Sequence, residues 1–261
     1  CDFIPDIAEP LPVQVFLKMM GLPLDKMAEF RDLVHEFLAP MATPLDPIFR
    51  MRNVADAMKA EIEARRTDPQ DDLISLLWSS EIDGKPMTYE LMEDFCVLLF
   101  IAGLDTVING MGYGVRHLAQ NPGLQAELRA NPKLIVEAAE EMLRRYTFTV
   151  PSRRVAKDVE FAGVQMKSGD RLMLFLPGAD LDAREFEDPA NYDMKRENNV
   201  HIAFGVGPHR CLGSHLARIE LQVIYEQMLA RLPEFRLDEN NPATFHAGNI
   251  IAIDSLPIRW D

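Results

Sequence analysis

The stretch that most restricts the fold runs from Thr88 to about Gln120, which reads as one helix with Thr88 as its N-cap. A helix of that length spans roughly 50 Å and must cross the whole domain that contains it. From Phe95 to Leu104 it carries no charged residue. A helix apolar on all sides belongs in a large core or in a bilayer. Asp105 ends the run and Asn109 follows. An acid at the centre of a span costs ~2.5–3.5 kcal/mol on insertion scales, so the expectation is a buried helix and not a membrane span. A chain of 261 residues, 48% of them hydrophobic, is long enough to enclose such a helix, and one body over residues 1–261 is expected.

The flanking text is mostly helical. From Ala8 to about Phe37 it reads as two helices broken at Gly21-Leu22-Pro23, with Val13, Phe16, Leu17 and Met20 at helical spacing. A Pro-rich joint, Pro40 to Pro47, leads to a third helix ending near Arg65, with Met51, Val54, Met58 and Ile62 on its buried face. Leu73 to Trp78 forms a short helix, and Asp83-Gly84 a tight hairpin turn. Asn121-Pro122 and Asn131-Pro132 bracket another short helix, followed by one from about Leu134 to Tyr146. Short strands are expected between Arg153 and Phe175, around Gly163, and again from Phe235 to Trp260. Between them Leu216, Ile219, Val223, Ile224 and Met228 mark a long core helix. The class is mainly α with small β-sheets.

Three stretches carry chemistry. In Phe204-Gly205-Val206-Gly207-Pro208-His209-Arg210-Cys211-Leu212-Gly213 a glycine-rich loop meets an apolar helix at one cysteine. A thiol at a helix N-terminus, beside Arg210 and His209, is favoured as thiolate and suits a metal. Gly205, Gly207 and Gly213 let the backbone turn and approach a flat ligand. Taken alone, the same cysteine reads equally as a small buried hydrophobe, or as a zinc ligand with His209 and His215, although no second cysteine pair completes the usual set. In Ala102-Gly103-Leu104-Asp105-Thr106 two small residues precede an acid and an alcohol. The small residues admit a cofactor plane, while the Thr106 hydroxyl can engage the carbonyl four residues back and invite a bend or a water; Asp105 could instead pair with a distant arginine. Glu141 and Arg144 sit at i,i+3, a spacing that is ordinarily a surface pair.

In their order along the chain the three stretches resemble the cytochromes P450, the heme-thiolate monooxygenases, over essentially the whole chain. Ala8-Glu9-Pro10-Leu11-Pro12, Leu104-Asp105-Thr106-Val107 and Leu256-Pro257-Ile258-Arg259-Trp260-Asp261 are most similar to the bacterial camphor-hydroxylase group. The resemblance implies the P450 fold without its N-terminal part, with heme b bound and Cys211 as iron ligand. It implies His209 and Arg153 as partners of the heme propionates. Phe204, Gly205, Leu212, Gly213 and Ala217 would also contact the heme, as would Leu98, Ala102 and Gly103. Asp105 and Thr106 would be catalytic, delivering protons to dioxygen. The substrate pocket would comprise Leu98, Ile101, Ala102, Phe148 and Thr149, with Asn249 and Ile250 at the tip of a hairpin. Glu141, Arg144 and Arg196 would hold the segment before the cysteine. The implied substrate is a small apolar, terpenoid-like molecule. Electrons would come from an iron-sulfur ferredoxin and its flavoprotein reductase, with Arg210 and Arg218 as docking charges.

Composition narrows the classes. The formal net charge of −14 argues against a nucleic-acid partner. Cys1, Cys96 and Cys211 are too few and too scattered for a disulfide framework. With no signal-like segment at the start, a cytoplasmic protein without a membrane association is expected. Two other classes fit parts of the text: a heme carrier, which needs Cys211 but not Asp105 and Thr106, and a structural fragment that needs neither.

Overall fold

Helix α1 (Pro10–Met20) starts on a proline, which has no amide hydrogen to lose in the first turn, and ends at Gly21. Gly21 is left-handed, with φ 66°, and its amide and that of Leu22 cap the carbonyls of Lys18 and Leu17. A Cβ there would lie 2.2 Å from Asp72 Oδ2, so only glycine fits. The structure, a computed structural model, describes residues 1–38 and 46–261. The Pro-rich joint expected from Pro40 lies, as far as residue 45, outside them. By their contacts the described residues fall into two compact units, 5–108 and 1–4 with 109–261.

Residues 5–108 contain α1, α2 (Met27–Leu38), α3 (Asp46–Arg65), α4 (Leu73–Trp78) and the hairpin of β1 (Glu81–Ile82) with β2 (Lys85–Pro86). They also contain the first part of α5 (Tyr89–Gln120). The Asp83-Gly84 turn has positive φ at both residues, 51° and 71°, which the hairpin twist demands. Thr88 Oγ1 accepts the amide of Leu91 and caps α5 as expected. The core joins Phe16, Leu17, Phe30, Met58, Ile62, Ile74, Met92, Cys96 and Phe100. Phe16, Phe30 and Phe100 meet at centroid distances of 5.6 to 6.1 Å, and such pairs add ~0.5–1.5 kcal/mol each beyond burial. Met51 is 44% exposed, against the expectation. It lies one turn before Val54, where the buried face of α3 begins.

The other unit holds the end of α5, α6 (Pro122–Ala130), α7 (Ile135–Arg145) and strands β3 (Ser152–Arg154), β4 (Val159–Phe161), β5 (Val164–Met166) and β6 (Arg171–Met173). The short α8 (Leu176–Asp180) and the long α9 (Ser214–Arg231) follow. Strands β7 (Phe235–Leu237), β8 (Thr244–Ala247), β9 (Ile251–Ser255) and β10 (Ile258–Trp260) complete it. The strands pair antiparallel as β3 with β6, β4 with β5, β8 with β9 and β7 with β10. Helix α9 packs on α7 and α6. Its Tyr225 reaches the Gly110 carbonyl at 3.1 Å, an approach that Gly114 permits, since a Cβ there would fall 1.8 Å from the Tyr225 oxygen. The buried face of α9 differs from the expected one. Ile219 and Val223 are 57% and 42% exposed, while Glu220 is 6% exposed beside Leu221 and Ile224. Among the described residues no helix is long and apolar enough to cross a membrane.

Candidate functional site

The cysteine loop is built by its glycines and its backbone. Gly205 and Gly207 have φ of 67° and 73°, a region closed to most side chains. The Gly205 amide bonds to the Ile202 carbonyl at 2.8 Å, a 3₁₀ turn covers Gly207–His209, and the Cys211 amide returns to the Phe204 carbonyl at 2.9 Å. Helix α9 begins at Ser214 with Gly213 as its cap, so Cys211 lies at the junction of loop and helix, two residues before the cap. Cys211 is exposed, as are His209, Arg210, Leu212 and Gly213, and Ala217 is half-buried on α9. The reading of Cys211 as a small buried hydrophobe is therefore excluded. Cys96 takes that role instead: burial, reinforced by Glu93, pushes its thiol up to about 12.

Three anchors hold the entry to this loop. The fully buried pair Glu141–Arg144 is bidentate, Arg144 Nε and Nη2 each donating at 2.8 Å. Arg196 joins at 3.4 Å from Glu141 Oε1, and the Asp193 amide donates to the same oxygen at 3.0 Å. Arg144 also donates to the carbonyls of Asp180, Pro189 and Asn191, tying α7 to the irregular segment before the loop. The second anchor is Asp180, buried, whose carboxylate accepts the Thr147 hydroxyl at 2.6 Å and the Ile202 amide at 2.8 Å. The third is Glu140, which accepts two bonds from Arg218, at 2.6 and 2.7 Å, and one from His201 at 2.9 Å. Burial opposes its charge, but these bonds outweigh burial and hold the carboxyl down at about 2. The Arg218 guanidinium covers the Phe204 ring at 4.6 Å. Arg218 is thus committed to Glu140 and Phe204 and is not the free docking charge expected of it.

The same unit places four of the expected pocket residues together. Thr149 bridges Ile250, the Val150 amide bonds to the Asn249 carbonyl at 2.7 Å and the Ile251 amide to the Phe148 carbonyl at 2.8 Å. Thr149 Oγ1 is 3.5 Å from the Ala203 carbonyl, next to Phe204. Asn249 is exposed at the tip of the β8–β9 hairpin, and Phe148 stacks on Tyr113. Arg153 sits exposed in the middle of β3, opposite Leu172, with its guanidinium on the Ser152 carbonyl.

In the other unit the charge-free part of α5 is not buried on all sides. Met92, Cys96, Phe100 and Leu104 face the core, but Leu98 is 57% exposed, Ala102 and Gly103 are exposed and Ile101 is half-buried. The 3.6-residue period divides an apolar run into a packed face and an apolar face turned outward. Thr106 Oγ1 donates to the Ala102 carbonyl at 2.8 Å within an unbroken helix, and Asp105 beside it is half-buried.

Sequence reading missed Glu140, His201, Asp180 and Glu220. Among the described residues no hydrogen bond or ion pair reaches the Glu220 side chain, and burial raises its carboxyl from 4.5 to about 7. An acid raised in the fold costs nothing while neutral. Its penalty is absent below about pH 4.5 and grows as pH rises through 7, reaching roughly 3 kcal/mol. Glu220→Gln should therefore unfold at higher urea than the parent at pH 8 and nearly together with it at pH 4.5. A difference independent of pH would refute the assignment.

Among the described residues no three His, Cys, Asp or Glu side chains gather to hold a metal ion, so the zinc alternative for His209, Cys211 and His215 finds no support. Comparison with known proteins is decisive on the family. The family model for cytochrome P450 matches residues 11–260. A probable cytochrome P450 127A1 of Sinorhizobium fredii is 34% identical over all of this chain and 62% of its own length. A steroid C26-monooxygenase of Mycobacterium tuberculosis is 35% identical over 99% of this chain and 72% of its own length. Among solved structures, cytochrome P450 CYP101C1 superposes with TM-score 0.92 at 35% identity, over 100% of this chain and 66% of the other. The chain therefore spans less than two thirds of some of these relatives. With the cysteine loop, the buried Glu141–Arg144 pair and a match across both units, the chain belongs to the cytochrome P450 family.

Proposed function

We propose that the protein is a heme-thiolate monooxygenase that hydroxylates a small, mostly apolar molecule of terpenoid character, with electrons from an iron-sulfur ferredoxin and its flavoprotein reductase. The two units are read as parts of one P450 domain. The observation that carries this is Cys211, an exposed thiol on a loop held by three carboxylate anchors, in a chain whose family binds heme b.

The residues fit heme b on two counts. The Cys211 sulfur is accessible and flanked by Gly213, where an added Cβ would come no closer than 4.0 Å to it. Within the charge-free run of α5 the exposed residues, Leu98, Ala102 and Gly103, are apolar, with nothing within 4 Å of a Cβ at Gly103, which suits a flat hydrophobic ring. Cys211 would ligate the iron, and Phe204, Gly205, Leu212, Gly213 and Ala217 would contact the ring from this unit. His209 and Arg153, both exposed, would take the propionates, a carboxylate being the natural partner of a guanidinium. When bound, the heme supplies reductive activation of dioxygen and oxygen transfer to a C–H bond, thiolate donation favouring O–O cleavage.

The chain's own part is to position and to move protons. Phe148, Thr149 and Ile250 present mostly apolar surface with few polar anchors, as suits a small hydrophobic substrate. Asn249 offers that substrate one hydrogen bond. The Thr106 hydroxyl, now on the Ala102 carbonyl, can turn to give its proton, and Asp105 replaces it. Thr106→Ala should keep oxygen consumption but lower product per dioxygen by a factor on the order of ten. Equal coupling in both proteins would remove Thr106 from the mechanism. The reading itself is tested by the absorption spectrum of the heme-loaded protein, reduced under carbon monoxide, and by NADH-driven turnover with a ferredoxin system. A strongly red-shifted Soret band with product supports it; a band typical of histidine-ligated heme overturns it.

A further inference from the structure

The geometry points to Glu140 as the positioning residue of the cysteine loop, one carboxylate that ties the loop's entry at His201 to the helix after it at Arg218 and, through Arg218, clamps Phe204. The inference rests on Cys211 being the heme ligand. Oxygen Oε1 takes both His201 Nε2, at 2.9 Å, and Arg218 Nη2, at 2.6 Å, while Oε2 takes Arg218 Nε at 2.7 Å. His201 Nδ1 accepts the Ala203 amide at 3.2 Å, which assigns the ring as the Nε2–H tautomer donating to Glu140. The ring therefore links the carboxylate to the backbone one residue before Phe204. The Arg218 guanidinium lies over the ring of Phe204 at 4.6 Å, and the Phe204 carbonyl receives the Cys211 amide at 2.9 Å.

Past Phe204 the loop has no comparable anchor. Among the described residues, no side chain from Gly205 to Gly213 forms a hydrogen bond or an ion pair, and residues 206–213 are exposed. The place of the sulfur is therefore inherited from Phe204, whose ring and preceding backbone Glu140 holds through Arg218 and His201, beside the Asp180 anchor on Ile202. The carboxyl is held down at about 2, so the clamp stays charged across ordinary pH. The neighbouring Glu141 does different work: it faces Arg144 and Arg196 and fixes the segment before the entry.

A glutamine at 140 has the same shape, but its NH₂ would face a guanidinium or an imidazole N–H, donor against donor, so one of the two partners loses its acceptor. A lysine at 218 keeps charge but cannot make the bidentate bond or lie flat on Phe204. The test follows the ferrous–carbon monoxide Soret band of the heme-loaded protein over time, at temperatures where far-UV circular dichroism is fully native. Glu140→Gln should lose the red-shifted band about ten-fold faster than the parent, as expected for a lost charged hydrogen bond. Arg218→Lys should move in the same direction, while Glu137→Gln, on an exposed position of the same helix, should match the parent. A Glu140→Gln protein that keeps the band at the parent's rate overturns the proposal. If that variant does not fold, Arg218→Lys behaving as the parent does the same. A parent without the red-shifted band overturns the heme-thiolate reading and this proposal with it.

Discussion

Arg144→Met is expected to lower the free energy of unfolding by about 3–5 kcal/mol, the usual cost of removing one member of a buried ion pair. Stability in domains of this kind is about 5–15 kcal/mol, so the loss is about a fifth of the total or more. The side chain is fully buried and bidentate to Glu141, and its removal leaves that carboxylate with Arg196 at 3.4 Å and the Asp193 amide. It also removes donors from the carbonyls of Asp180, Pro189 and Asn191. Urea unfolding of both proteins measures the difference. Replacing a buried pair with two apolar residues is often nearly neutral, so Glu141→Met with Arg144→Met separates the pair from the carbonyls. The double variant should stay well below the parent, because the carbonyls of Asp180 and Pro189 are still unserved, while that of Asn191 keeps Arg196 at 3.2 Å. If it unfolds with the parent, the carbonyl contacts carry no weight and Arg144 acts through Glu141 alone.

Local signals made the helices legible. Gly21, Asn121-Pro122 and Thr88 mark ends that the backbone obeys, because a left-handed cap, a missing amide and a capping hydroxyl act within one turn. What the sequence could not supply is which apolar residue is covered. Leu98 and Phe100 are two residues apart in one charge-free run, yet one is exposed and the other buried. On α9 the face turned to α7 and α6 carries Glu220 in place of Ile219, since tertiary packing sets the rotation of a helix that has apolar residues on several sides. The Glu141–Arg144 pair was visible as a spacing, but its complete burial was not. Glu140 had no signal at all, because its partners His201 and Arg218 lie 61 and 78 residues away. A contact at that separation leaves no local pattern.

Cys211→Ala should abolish the red-shifted carbon monoxide band while leaving the fold almost untouched. The two effects separate because of where the side chain lies. Cys211 is exposed, and its place in the loop is fixed by its backbone, its amide on the Phe204 carbonyl and its carbonyl toward the Ser214 amide. Both bonds survive in alanine, so the change in stability should stay within about 0.5 kcal/mol, as for other exposed positions. The thiolate does not survive. Cys96→Ala is the matched control, and its expected effects are the reverse. Cys96 is fully buried in the core of residues 5–108, with its thiol pushed up to about 12, so it is neutral and out of reach of a metal. Its loss should cost stability through the cavity it leaves, on the order of 1 kcal/mol, with the spectrum unchanged. Spectra of the two heme-loaded variants and urea unfolding of the two heme-free ones therefore form a crossed test. A Cys211→Ala protein with the parent's spectrum would remove the thiolate from the site and the monooxygenase reading with it. A Cys211→Ala protein that unfolds far more easily than the parent would mean that the sulfur also holds the loop, which its exposed position argues against.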